Sequence, residues 1–211
     1  MTTLELIGHL DASIERADRY ESKLGAGCDP LMEVGGFCGL KTRHLLNNLG
    51  AIPGVRYLEV GVLHGATLLS AAYQNEGEYV GIDSFCQDFG GGTDPAATRA
   101  NIAKWGGGRV TLIEEDCWEA NPAPFFDVFL YDGGHSREET ARAFSHFLPV
   151  MADNFLMLVD DASWPEVIAG IWEGVEAIGG INMVQILGAC TENDAAGYWN
   201  GLWAGVFAGR R

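Results

Sequence analysis

At 211 residues, 47% hydrophobic and 20% charged, the chain has the length and composition of one water-soluble domain with a sizeable core. Its 29 acidic against 13 basic residues give a formal net charge of −16, a field that repels phosphate backbones and excludes nucleic acid as an expected partner. No apolar run approaches the roughly 20 residues that cross a bilayer, so no membrane partner is expected.

The elements follow in chain order. Residues 3–23 carry Leu4, Ile7, Leu10, Ile14 and Ala17 on one face, which predicts an amphipathic helix. The early acids in this segment lack the basic-then-apolar layout of a signal peptide, so a cytoplasmic protein is expected. A Gly-rich stretch precedes a second helical piece, LKTRHLLNNLG. These residues, 1–54, read as a helical cap region on an α/β core spanning 55–211, the whole forming a single domain. In the core, strands are expected at 55–60, 78–83, 109–113, 126–131 and 154–160, and helices at 65–74, 95–105, 136–149 and 164–177. Asp94-Pro95 reads as an N-cap with proline at the first helical position. Ser136-x-x-Glu139 and Ser163-x-x-Glu166 read as capping boxes. INMVQILG and GLWAGVFAG read as a terminal hairpin of strands joined by ACTENDAAGYWN. Alternating β and α predicts a doubly wound, mostly parallel, seven-stranded sheet with an antiparallel C-terminal strand and helices on both faces.

Cys28, Cys38, Cys86, Cys117 and Cys190 are scattered, odd in number and form no C-x-x-C pair. They read as reduced thiols, with no zinc site.

Ligands of open α/β sheets sit outside the carboxyl ends of the strands. There the first strand ends in E-V-G-V-L-H-G, with Glu59, Gly61 and Gly65. A nicotinamide-binding turn normally shows G-x-G-x-x-G facing pyrophosphate. Here the middle glycine is missing and an acid stands nearby, which points to a ligand without phosphate and with positive charge. Asp83, at the end of the second strand, lies about 20 residues on, where an acid takes ribose hydroxyls. Ser84 follows it, and Asp116-Cys117 after the third strand reaches the same cleft. Three acids around one nucleoside pocket suit an adenosyl group with a sulfonium or ammonium.

With E-x-G-x-x-x-G, Asp83 and Asp116 in this order, residues 55 to 208 resemble a class I S-adenosylmethionine-dependent methyltransferase. The resemblance implies a Rossmann-like sheet and S-adenosyl-L-methionine as cofactor, with Asp83 on the ribose and Asp116 near the adenine. It also makes the strands ending at Tyr131 and Asp160 neighbours, about 5 Å apart. Asp132, Asp160 and Asp161 should then converge, Asp132 also bordering the cofactor. Crowded carboxylates raise one another's pKa, and a divalent cation relieves them; oxygen ligands favour magnesium (Mg2+) over calcium or manganese. D-x-x-H followed by Asp-Asp is similar to the macrocin-type and cephalosporin-biosynthesis-related sugar O-methyltransferases. That likeness implies Asp132, Asp160 and Asp161 as metal ligands and His135 as general base, although the group often has Glu-Asp where this chain has Asp-Asp.

The expected substrate is a small hydroxylated molecule, sugar or catechol-like, and a homo-oligomer is allowed. Residues 24–50 and 84–94 are expected to set acceptor choice. Lys41, Arg43 and His44 form a basic cluster that either greets an anionic substrate or makes a solvated helix face. His64 is expected to shape its loop. Tyr198, Trp199 and Trp203 sit where a loop after the sixth strand can overhang the substrate, with core packing the alternative. The rival readings are a metal-free methyltransferase, a non-catalytic partner of the same fold, and a nicotinamide oxidoreductase.

Overall fold

The computed structural model describes residues 1–25, 30–86 and 94–208, so Cys28 and most of the 84–94 segment lie outside the described residues. Seven strands form one sheet: β1 (Arg56–Val60), β2 (Glu78–Ile82), β3 (Val110–Ile113), β4 (Phe126–Tyr131), β5 (Met151–Asp160), β6 (Ile181–Leu187) and β7 (Leu202–Phe207). Their order is β3-β2-β1-β4-β5-β7-β6. β1 to β5 pair in parallel, and β7 runs antiparallel between β5 and β6. The helices are α1 (Thr3–Asp18), α2 (Leu40–Gly50), α3 (Ala66–Ala72), α4 (Pro95–Trp105), α5 (Arg137–Phe147) and α6 (Pro165–Ile178). This is the Rossmann-like, doubly wound sheet expected from the alternation of β and α.

Successive strand residues point to opposite faces, and here both faces are covered. Val128 and Leu130 of β4, Leu156 and Leu158 of β5, and Ala204 and Val206 of β7 pack with Leu6, Leu10, Leu45 and Leu49 of α1 and α2. The alternate residues, Phe129, Tyr131, Met157, Val159, Trp203 and Phe207, pack with Phe144 of α5 and Ile171 of α6. That is why these strands read as continuous apolar runs. No helix among the described residues is long and apolar enough to cross a membrane.

Three local readings are corrected by hydrogen bonds from neighbouring elements. α1 ends at Asp18 rather than continuing to residue 23, because α2 captures the chain beyond it: Asn48 Nδ2 donates to the Glu21 carbonyl at 2.9 Å, and Ser22 Oγ meets His44 Nδ1 at 2.8 Å. The basic cluster is neither a substrate cradle nor a solvated face. Arg43 is buried and donates to the carbonyls of Leu31 and Val34, both at 3.0 Å, while Lys41 pairs with Asp18. Ser163 does not cap α6; Trp164 holds the N-cap position without a side-chain bond, Pro165 starts the helix, and Ser163 Oγ donates to the Gly188 carbonyl. Asp94 does cap α4, accepting from the Ala96 N–H ahead of Pro95. Ser136 caps α5 and accepts from the Glu139 N–H, but the Glu139 carboxylate takes the serine hydroxyl at 2.6 Å rather than the backbone N–H of the cap.

Glu59 is fully buried in β1, on the face that Tyr57 also points to. Tyr57 donates its hydroxyl at 2.8 Å to one carboxyl oxygen, and Thr67 of α3 donates at 2.7 Å to the other. Strand and helix are thereby tied across the intervening turn. Burial pushes the Glu59 carboxyl up to about 8 against these donors, which pull it back. A carboxyl whose folded pKa is raised favours folding fully below its unfolded pKa, near 4.5, and loses that advantage as pH rises toward 8. Wild-type stability from denaturant titrations should therefore fall across this window by an amount on the order of a few kcal/mol. Glu59→Gln should flatten that limb; an unchanged pH dependence in the variant would show that Glu59 is ionised in the folded protein at neutral pH.

Candidate active site

A cavity of about 390 Å³ opens at the carboxyl ends of the central strands. It straddles β1 and β4, where the strand order reverses and such sheets bind their ligands. Two glycines set its floor. Gly61 has φ +90, and a Cβ there would lie 1.8 Å from the Asp132 carbonyl oxygen, so the turn after β1 presses directly on the segment after β4. Gly65, also at φ +90, is the left-handed N-cap of α3.

At the β2–β3 end, Asp83, Ser84, Asp116 and Cys117 all line the cavity. Asp83 already accepts from two backbone amides, Leu63 N at 2.8 Å and Phe85 N at 2.7 Å, so it holds the two ligand-facing loops together. Asp116 accepts from Trp118 N at 2.9 Å, and Ser84 Oγ meets Cys86 Sγ at 2.9 Å. Burial pushes the Cys117 thiol up to about 12, so it is no nucleophile at neutral pH. Glu59 and Gly65 are not among the lining residues; Glu59 sits beneath the turn, its carboxyl occupied by Tyr57 and Thr67.

At the β4–β5 end, Asp132, His135 and Asp161 bring their ligand atoms within 4.8 Å of one another. His135 Nε2 lies 2.8 Å from Asp161 Oδ2 and 3.6 Å from Asp132 Oδ1, yet it is buried and neither oxygen takes an in-line hydrogen bond from it. Burial alone would lower the imidazole pKa, but the two carboxylates outweigh it and raise the group to about 10. Burial, eased by His135, raises Asp132 to about 6. Asp160, the third carboxylate expected here, accepts from Asp161 N at 3.0 Å through its Oδ1 and is not one of the three residues whose ligand atoms converge. Burial, with Asp132 and Asp161 beside it, pushes its carboxyl well above the usual range. The two crowded carboxylates, Asp132 and Asp161, fit a divalent cation, with the imidazole of His135 beside them.

Asp161 itself sits at φ +54, a left-handed backbone that costs a non-glycine residue about 1–3 kcal/mol. Asn200 holds it there: its Nδ2 donates to Asp161 Oδ1 at 2.7 Å, while its own Oδ1 accepts from Asn193 N at 2.8 Å. The loop after β6 is thus bonded to the site. Sequence reasoning missed Asn193 and Asn200, and also Phe37, Trp118 and Trp164, which line the same cavity. Trp118 adjoined the Asp116-Cys117 pair, Trp164 fell inside the supposed Ser163-x-x-Glu166 cap, and Asn193 and Asn200 fell inside the loop of Trp199; Phe37 adjoined none of them. Of the three aromatics assigned to the β6–β7 loop, Trp199 lines the cavity, whereas Tyr198 and Trp203 are buried core residues.

A doubly wound sheet with an acid-lined cleft at its switch point has the architecture in which such folds bind their ligands. Residues 58–162 match the family described as a methyltransferase domain, and the chain is a class I S-adenosylmethionine-dependent methyltransferase. Among solved structures it is similar to the O-methyltransferase TomG from Streptomyces achromogenes, involved in tomaymycin synthesis and in complex with SAM (18% identity, TM-score 0.58, covering 95% of this chain and 90% of that one). It is also similar to an O-methyltransferase from Bacillus cereus in complex with SAH (16%, 0.58, 93% and 91%) and to the SAH-bound methyltransferase PaMTH1 from Podospora anserina (15%, 0.54, 96% and 88%). No curated protein sequence matches the chain.

Gly61→Ala should be among the most damaging single-methyl additions to this protein. It forces a left-handed Cβ against the Asp132 carbonyl, with backbone strain alone costing about 1–3 kcal/mol. Denaturant unfolding should report a loss at least that large, and a crystal structure of the variant should show Asp132 displaced.

Proposed function

We propose that the protein is a divalent-metal-dependent O-methyltransferase acting on a hydroxyl of a small molecule with vicinal hydroxyls, sugar or catechol-like. One observation carries the reading: Asp132, His135 and Asp161 meet at one end of a cavity whose other end presents Asp83 and Asp116. The named O-methyltransferases of like fold support it.

In this reading Asp83 and Ser84 take the ribose, Asp116 and Cys117 border the adenine, and the turn from Gly61 to Gly65 passes beneath the methionyl part. Glu59 acts through that turn rather than by touching the cofactor. The methyl donor supplies an electrophilic carbon for in-line displacement, so the protein's task is positioning. Asp132 and Asp161 would hold the cation, and Asp160 backs Asp161 by accepting from its N–H. The chemistry such a cation supplies is charge compensation of the carboxylates and a lowered pKa for the acceptor hydroxyl.

His135 then works as general base. Between two uncompensated carboxylates its imidazole keeps its proton up to about pH 10 and cannot accept another. Once the carboxylate charge is compensated, the ring is free to lose that proton and receive one from the acceptor at Nε2. A metal-free alternative is favoured by the 2.8 Å contact of His135 with Asp161, which would orient the base without a cation. The reading is of a cytoplasmic enzyme with no nucleic-acid or membrane partner, and a homo-oligomer is compatible with it.

Chelation should abolish turnover and added Mg2+ should restore it, while calorimetry shows S-adenosylmethionine binding unchanged in the chelated protein. Full turnover in excess chelator would favour the His135–Asp161 pair acting alone. His135→Ala should lower kcat by about 10²–10⁴-fold with cofactor affinity kept, as for a positioned base. Wild-type kcat in that variant would remove His135 from the mechanism under either scheme.

A further inference from the structure

Asp161 is buried just past the end of β5, and its polar atoms are taken one by one. Its N–H donates to Asp160 Oδ1 at 3.0 Å, its carbonyl accepts from Trp164 N at 2.9 Å, and its Oδ1 accepts from Asn200 Nδ2 at 2.7 Å. Among the described residues the remaining oxygen, Oδ2, has one ion-pairing partner, His135 Nε2 at 2.8 Å. One oxygen of this carboxylate therefore belongs to the protein, and the other faces the group it forms with His135 and Asp132.

Asn200 is buried as well and is held on several sides. Its Oδ1 accepts from Asn193 N at 2.8 Å, and its carbonyl accepts from Ser163 N at 2.8 Å. The next carbonyl, that of Gly201, accepts from Ala162 N at 3.1 Å, so the β6–β7 loop runs bonded along the segment that follows Asp161. From the other side the same loop is laced to the start of α2. Leu40 N donates to Ala195 O and Lys41 N to Gly197 O, and a Cβ on Gly39 would lie 2.1 Å from the Gly197 carbonyl oxygen. The amide of Asn200 cannot retreat with its loop. Nor can it turn over, because that would set its oxygen against Asp161 Oδ1 and its NH2 against the Asn193 N–H.

This hold limits what Asp161 can offer a cation. Chelation through both oxygens would draw Oδ1 away from Asn200 and leave a buried N–H without its acceptor, or bring the cation against the polarised hydrogens of that amide. Mg2+ takes single oxygens in an octahedron at about 2.0–2.1 Å and keeps several waters. Ca2+ takes about 6–8 oxygens, often from bidentate carboxylates, in a flexible cage. Discrimination between the two follows ligand number and flexibility, and the Asn200 bond lowers both.

We infer that Asn200 is a positioning residue that restricts Asp161 to one ligand oxygen and so biases the site toward Mg2+ and against Ca2+. This inference rests on the reading of Asp132 and Asp161 as cation ligands, and it names a residue that sets which cation they accept.

Titration of MgCl2 and of CaCl2 into the full chain, saturated with S-adenosylhomocysteine and followed by calorimetry, gives the ratio of the two affinities. Asn200→Ala frees the carboxylate to rotate and should raise the Ca2+-to-Mg2+ affinity ratio at least about fivefold, the lower bound for a bond whose rupture strands a buried group. Thr191→Ala removes a different bond of the same loop, Thr191 Oγ1 to the Gly188 carbonyl at 2.6 Å, and should lower stability without moving the ratio. A loop that merely supports the fold would move the ratio in both variants or in neither. Crystals of the wild-type protein soaked with each salt supply a readout that needs no variant: Asp161 should ligate through Oδ2 alone, with Oδ1 still on Asn200. Ligation through Oδ1 or through both oxygens, or an unchanged ratio in folded Asn200→Ala protein, would overturn the inference and leave the metal reading intact. Binding of neither cation, in solution or in crystals, would overturn the metal reading itself and this inference with it.

Discussion

A single buried carboxyl organises the ligand edge of this protein. Glu59 sits where β1 ends, and its two oxygens are taken by Tyr57 from the same strand and Thr67 from the helix that follows. The contact spans the turn containing Gly61 and Gly65, so the turn cannot open without stranding a polar group in the core, at a cost of about 1–3 kcal/mol. Because Gly61 packs on the Asp132 carbonyl, the position of that turn also sets where β4 hands its chain to the site. Asp83 then clips the turn to the loop after β2 through the amides of Leu63 and Phe85. Three strands are therefore registered to one another at the cleft by a chain of contacts that begins at Glu59.

Much of this was legible in the sequence because the sheet is buried on both sides. Continuous apolar runs ending in an acid marked the strands, and the reach of each strand to its carboxyl edge followed from that. Asp94-Pro95 was readable because an N-cap and a first-turn proline act locally. The misreadings arose where distant segments compete for the same backbone groups. Ser163 has the spacing of a cap, yet its hydroxyl bonds to Gly188. Arg43 has the look of a surface cation, yet its guanidinium fastens the carbonyls of Leu31 and Val34. Phe37, Trp164 and Asn200 each reach the cavity through tertiary packing of a loop, which even a neighbouring motif, as at Trp164 and Asn200, does not reveal.

The two ends of the cavity differ in how their charges are handled. At the β2–β3 end, Asp83 and Asp116 are solvated by backbone amides and remain available to a ligand. At the β4–β5 end, carboxylates crowd one another, and the imidazole of His135 is the one side chain of the group able to carry positive charge. The first arrangement suits hydrogen bonding to a neutral sugar ring of a nucleoside; the second stores unfavourable repulsion that a cation can relieve. Asn200 limits how far the crowded end can relax, because it pins one Asp161 oxygen while the other faces His135.

The contact of Gly39 with Gly197 bears on how such a protein can change over generations. Two segments more than 150 positions apart in the chain touch backbone to backbone, so neither can gain a side chain or alter its length alone without lifting the other. Single exchanges at positions 37 and 199 leave that contact untouched. The rings that line the cavity can therefore change one at a time, whereas a lineage that reshapes the two paired segments must alter both together.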